Sequence, residues 1–137
     1  MSPSYILGID LGTTSVKACL VNQATGMVEK SDFKDTLASV MSPVPGGHEQ
    51  DALRIMVAAQ SVVSRLPREM LRRVTRIGVS GQMHGILFWK ENLASFCGKV
   101  ERFELEAGAL SHVYTWLDNR CLPEFLDSLP KPSSHLR

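Results

Sequence analysis

The run Gly8-Ile9-Asp10-Leu11-Gly12-Thr13-Thr14-Ser15-Val16-Lys17 sets a carboxylate beside a glycine and two hydroxyls. Glycine lets backbone amides approach a phosphate closely, and successive N–H groups flanked by hydroxyls make an anion-binding concavity. In such a turn Gly12, Thr13 and Thr14 would bind phosphate. Asp10 would hold Mg²⁺ through water, because that ion keeps much of its hydration shell. Lys17 would either reach a phosphate as a point charge or face solvent from a strand. The same residues also suit a plain tight turn, with Asp10 and Thr13 bonding local backbone. A P-loop is excluded, since Thr13 follows Gly12 and Lys17 comes too late. A Rossmann fingerprint is excluded because a β-branched run, not a helix, follows the glycine.

A second constellation is Gly78-Val79-Ser80-Gly81-Gln82-Met83-His84-Gly85. A polyol site needs groups that both donate and accept, as each hydroxyl does, together with an apolar surface for the C–H faces. Gln82 and His84 supply the first and Met83 the second. A hairpin whose Gln and His are satisfied internally would read the same way. In Trp116-Leu117-Asp118-Asn119-Arg120 the acid and base are close enough to pair and brace a wall. In His48-Glu49-Gln50-Asp51 the aspartate sits where a helix N-cap belongs, which accounts for most of that stretch.

These four motifs, in this order, resemble the FGGY family of sugar kinases within the actin-like ATPase superfamily. There an Asp-x-Gly-Thr-Thr hairpin wraps the nucleotide phosphates, and a Gly-Gln-Met-His-Gly turn meets the ketose in xylulokinase-type members. The run Ile86-Leu87-Phe88-Trp89 after that turn brings the chain nearest the branch acting on sedoheptulose. Two departures stand out: Ala52 replaces a usual proline, and no tryptophan precedes His48. The resemblance implies an α/β fold, the first lobe of the ribonuclease-H-like (actin-type) architecture. That lobe has a mixed sheet opened by antiparallel strands, helices on its faces, and no completion at its C-terminus. It implies ATP and Mg²⁺ as cofactors, and transfer of the γ-phosphoryl to a ketose primary hydroxyl, sedoheptulose giving its 7-phosphate in pentose phosphate metabolism. It further implies that Asp10 holds the metal, that Gly12, Thr13, Thr14 and Lys17 bind ATP phosphates, and that Met83 and His84, with Gln82, touch the sugar. The family's catalytic base is an aspartate of the second half, expected beyond Arg137, so residues 1–137 read as a partial N-terminal lobe without its second lobe. The alternative is a truncated, non-catalytic isoform that binds sugar or a partner protein.

The elements that must position these residues follow from pattern. Residues 5–9 and 15–21 read as strands, a turn at residues 22–26 follows, and residues 27–33 return as a third strand. Asp51 caps a helix over residues 52–65 with Leu53, Met56, Val57, Val63 and Leu66 on its apolar side, and Pro67 breaks it. A short helical turn through Arg73 precedes a strand at residues 74–80, with another at residues 86–89. A strand at residues 100–105 and a helix at residues 123–129 are expected after that, the latter ended by Pro130 and Pro132.

A chain of 137 residues is one domain or a piece of one, and 44% hydrophobic with 21% charged residues is a globular balance. A net charge of +1 argues against nucleic acid as a partner, because phosphate-backbone binding needs a basic stripe. The arginines at 65, 68, 72, 73 and 76 read as a solvated helix face. Cys19, Cys97 and Cys121 have no metal or redox spacing and read as free thiols. No signal peptide and no membrane span are expected, and the chain reads as cytoplasmic. His112 and His135 read as surface residues.

Overall fold

A computed structural model describes residues 3–91 and 108–131. The expected strand at residues 100–105, Cys97, Pro132 and His135 lie outside the described residues. Three antiparallel strands open the fold: β1 (Tyr5–Leu11), β2 (Ser15–Asn22) and β3 (Val28–Asp35). Each runs one or two residues past its sequence-based limit. The turn between β2 and β3 closes on Gly26, whose φ of 72° lies in the left-handed region. Two short strands, β4 (Ser39–Val40) and β5 (Glu49–Gln50), lead into helix α1 (Ala52–Arg65). After Pro67 come α2 (Arg68–Leu71) and β6 (Val74–Gly81), which lies parallel to β1 at the sheet edge, in the order β3-β2-β1-β6.

The N-cap of α1 is as expected: the Asp51 carboxylate accepts from the amides of Leu53 and Arg54 at 2.8 and 3.2 Å. The helix's apolar face is so only in part: Val63 and Leu66 pack on the core as expected, but Leu53 and Val57 do not. Val57 is 60% exposed and Leu53 is 40% exposed, whereas Ala58 and Val62 are buried. The stripe that meets the sheet is Ile55, Ala58, Ala59, Val62, Val63 and Leu66. The large side chains of Leu53 and Val57 drew the expected stripe off the core face, while the two alanines are what let the helix approach the strands. Against that stripe pack Tyr5, Leu7, Val16, Ala18 and Leu20, the alternating inward residues of β1 and β2. The opposite face of the sheet carries Gly8, Asp10, Lys17, Cys19, Gly78 and Ser80 along an open trough of about 970 Å³. Among the described residues, therefore, the packed helices sit on one face of the mixed sheet.

The strand expected at residues 86–89 does not pair back onto β6. Ile86 and Trp89 instead form isolated bridges with Tyr114 and Leu110. Tyr114 belongs to β7 (Val113–Tyr114), which joins β4 and β5 in a second, three-stranded antiparallel sheet. Such two-residue strands carry no periodicity to read, and long-range partners create them. Helix α3 (Pro123–Ser128) ends one residue early and buries none of its side chains. Cys19 and Cys121 are free, and no described helix is long and apolar enough to cross a membrane.

Candidate active site

The hairpin between β1 and β2 is closed by the Gly12 amide donating to the Ser15 carbonyl at 3.0 Å. A Cβ on Gly12 would stand 2.8 Å from that same oxygen, so only glycine fits this bend. Thr13 and Thr14 form the tip, and both their carbonyls are held from the protein side. The Thr13 carbonyl accepts from Gln50 Nε2 at 2.6 Å, and the Thr14 carbonyl accepts from the Thr36 amide at 2.9 Å. Their own amides donate to no acceptor among the described residues. Consecutive N–H groups left in this state beside a glycine bend are what an anion-binding cradle requires.

Asp10 ends β1 on the open sheet face, directly across from Lys17 on β2 and Ser80 on β6. Ser80 Oγ donates to Asp10 Oδ1 at 2.9 Å, and Oδ2 has no protein donor among the described residues. One oriented carboxylate is a suitable anchor for Mg²⁺ held mainly by water and phosphate oxygens. Among the described residues no cluster of three or more His, Cys, Asp or Glu side chains forms an all-protein metal cage. Lys17 is exposed on the same face.

The Gly81–Gly85 stretch is fastened to this hairpin. The Gln82 amide continues the β6 ladder by donating to the Leu11 carbonyl at 3.0 Å. Thr13 Oγ1 donates to Gln82 Oε1 at 3.2 Å, and Gln82 Nε2 donates to Gln50 Oε1 at 2.8 Å. Trp116 Nε1 lies 3.3 Å from Thr13 Oγ1 as a donor. Met83, His84 and Trp116 are exposed around these amides, with Met83 at 73%. His84 has φ 59°, a left-handed conformation rare for a residue with a side chain and common where function dictates its direction. The structure thus brings Asp10, Gly12, Thr13, Thr14 and Lys17 onto one hairpin and Gln82, Met83 and His84 onto the turn bonded to it.

Two other motifs complete the wall. Arg120 pairs with Asp118, its Nε donating to Oδ1 at 2.9 Å, and also with Glu49 of β5. Asp118 accepts the His48 amide at 2.9 Å, and His112 Nδ1 lies 2.8 Å from Glu49 Oε2. His112 is exposed, as expected, yet it is tied to this network. The Arg120 guanidinium holds Asp118 well below the usual carboxylate range. Arg120 first, then His112 and Ser42, lowers Glu49 as well. The guanidinium also stacks 4.9 Å from the Tyr114 ring centroid. Gln50, only 3% exposed, and Glu49 therefore each have tasks of their own beyond the Asp51 cap, which sequence reasoning did not separate. Their signal was present in the Glu-Gln-Asp stretch, but the capping role alone explained it.

Residues 5–99 match the N-terminal domain of the FGGY family of carbohydrate kinases. The chain belongs to that family. Both the hairpin and the Gly81–Gly85 turn fall within the matched span, and the Trp116–Arg120 wall follows it. Among curated FGGY relatives, sedoheptulokinase of Mus musculus is 49% identical over 140 residues, covering 95% of this chain and 29% of that protein. Sedoheptulokinase of Homo sapiens is 46% identical over 142 residues with the same coverage, 95% and 29%. The chain thus spans 29% of the length of these relatives. Among solved structures, a gluconate kinase from Lactobacillus acidophilus superposes with a TM-score of 0.63 at 26% identity, over 86% of this chain and 20% of that one. A ligand-bound xylulose kinase from the same organism gives 0.62 at 26% identity, over 85% and 20%. The mixed sheet with its helices is accordingly a partial first lobe of the actin-like FGGY fold.

Proposed function

We propose that residues 1–137 form part of the first lobe of an ATP-dependent sugar kinase that phosphorylates a primary hydroxyl of a ketose, sedoheptulose first among them. The observation that carries this reading is the direct bonding of the Gly12–Thr14 cradle to the Gln82–His84 turn, through Leu11 and Thr13. A phosphate donor and a polyol acceptor must meet within bonding distance, and these two elements are fixed side by side. The identity to sedoheptulokinases supports the seven-carbon ketose.

In this reading the amides of Thr13 and Thr14 cradle the phosphates, and Lys17 adds positive charge at the same face. Asp10, held in place by Ser80, anchors Mg²⁺. Mg²⁺ held there would supply charge neutralisation for phosphoryl transfer. His84 exchanges a hydrogen bond with a sugar hydroxyl, while Met83 and Trp116 cover its C–H faces. Positioning and charge neutralisation do most of the work of phosphoryl transfer, and these residues supply both.

The test is kinetic, in the full-length kinase carrying this segment. His84→Asn keeps a residue type that tolerates the left-handed backbone but removes the imidazole. It is expected to lower kcat/KM for sedoheptulose by roughly 5- to 150-fold, the equivalent of about 1–3 kcal/mol for a stranded hydroxyl, with the ATP KM and the Tm nearly unchanged. Met83→Ala should lower it less, since only apolar contact is lost. A fall in Tm with an unchanged sugar KM would make the turn a scaffold. A better kcat/KM for xylulose than for sedoheptulose would refute the choice of sugar.

A further inference from the structure

Gln50 is a buried amide with no part in the helix that begins two residues later, and it contacts neither the open sheet face nor solvent. Both of its ends are engaged. Nε2 donates to the Thr13 carbonyl at 2.6 Å, and Oε1 accepts from Gln82 Nε2 at 2.8 Å. Gln82 Oε1 in turn accepts from Thr13 Oγ1 at 3.2 Å. The three side chains close a ring that starts and ends on Thr13. Each amide in it has one orientation only, because reversing either would set donor against donor or oxygen against oxygen. Such a ring is rigid where it is satisfied, and in a low-dielectric interior its bonds reinforce one another.

The ring joins three segments far apart in sequence: the phosphate-type hairpin, the β5 end before α1, and the turn bearing Met83 and His84. Gln82 also has its backbone amide on the Leu11 carbonyl, so that turn is held to the hairpin by main chain and side chain together. A shift of the Thr13 peptide toward a bound phosphate must pull on Gln50, and through Gln50 on the Gln82 amide.

We propose that Gln50 and Gln82 are positioning residues that couple the phosphate-binding hairpin to the sugar-binding turn, so that occupancy of one is registered at the other. This rests on the kinase reading given above, and it assigns Gln82 chiefly to relay and not to sugar contact. Gln50 would then act on the reaction without touching either substrate.

The test uses the full-length kinase carrying this segment, ¹⁵N-labelled, titrated with Mg·ADP and followed by amide chemical shifts. In the unsubstituted chain the amides of residues 12–15 should move, and those of residues 82–85 should move with the same saturation curve. In Gln50→Leu, and separately in Gln82→Ala, residues 12–15 should still respond, while the response of residues 82–85 is lost. Gln50→Glu keeps the volume and the acceptor but not the donor to Thr13, and should lose the response as well. It serves if the leucine variant does not fold. Amides of α1 should stay where they are in the ligand-free variants, which separates relay from general loosening. An undiminished response at residues 82–85 in folded Gln50 and Gln82 variants overturns the relay and leaves the phosphate site standing. No response at residues 12–15 in the unsubstituted chain overturns the phosphate site itself, and the relay with it.

Discussion

Asp10 stands at the end of β1 with one carboxylate oxygen taken by Ser80 and the other without a protein donor among the described residues. Replacing it by Asn preserves shape and the Ser80 bond but removes the charge that would anchor Mg²⁺. In the full-length kinase, Asp10→Asn should therefore reduce kcat by at least about 10²-fold, with far less change in the sugar KM. Steady-state kinetics at saturating Mg²⁺ check this, and a kcat within a few-fold of the unsubstituted enzyme would mark the turn as structural. At this scale the grouping of the candidate residues was legible, because Asp10, Gly12 and Thr13 sit in near-consecutive positions and a single hairpin places them. Lys17 was ambiguous in sequence, and the strand register resolves only that it shares the open face with Asp10, its cross-strand neighbour. Gln50 was obscured because Asp51 beside it offered a sufficient local explanation, while its true partners lie 37 and 32 residues away.

The short β4-β5-β7 sheet is fastened by charge as well as by its ladder. Glu49 and Asp118 converge on Arg120, and both carboxyls are held below their ordinary values. A carboxyl lowered in the folded state stabilises fully above its unfolded pKa of about 4, and that contribution fades as pH falls further. Melting temperature should accordingly drop on acidification below about pH 4, and Arg120→Gln should flatten that dependence while lowering Tm at neutral pH. Parallel acid slopes for both proteins would show that the network contributes nothing. Elements with their own periodicity, β1, β2, β6 and α1, were readable to within a residue or two. The strand expected at residues 86–89 forms only isolated bridges, because its apolar run carries no record of which partners it meets; these are Tyr114 and Leu110. The face of α1 was misread in part for a related reason: Val63 and Leu66 were placed correctly, but alanine weighs little in a hydrophobic pattern and decides how closely a helix can approach a sheet.

Across the whole molecule, the Gly12–Thr14 hairpin tip and the Gln82–His84 turn lie side by side, and the chain spans 29% of the sedoheptulokinases it resembles. A kinase cleft needs a second wall to orient the acceptor hydroxyl and to exclude water, and general-base assistance alone is commonly worth about 10²- to 10⁴-fold. The 137-residue chain by itself should show no ADP release from ATP, Mg²⁺ and sedoheptulose above background. Turnover near that of the mouse sedoheptulokinase, measured side by side, would show that this lobe suffices.

The edge strand β6 has a consequence of its own. It is eight residues long, pairs along one side with β1, and leaves Ile77 and Val79 about two-thirds uncovered, at 64% and 65%. Arg76 is the one charged residue along it. An edge this long, this apolar and this lightly charged is a template on which another strand can add. A second chain would meet it through backbone donors and acceptors that no strand among the described residues takes up, with no specific side-chain fit required. At high concentration, then, the isolated chain carries a route to self-assembly that runs through its main chain, and colloidal behaviour becomes a property of the fold.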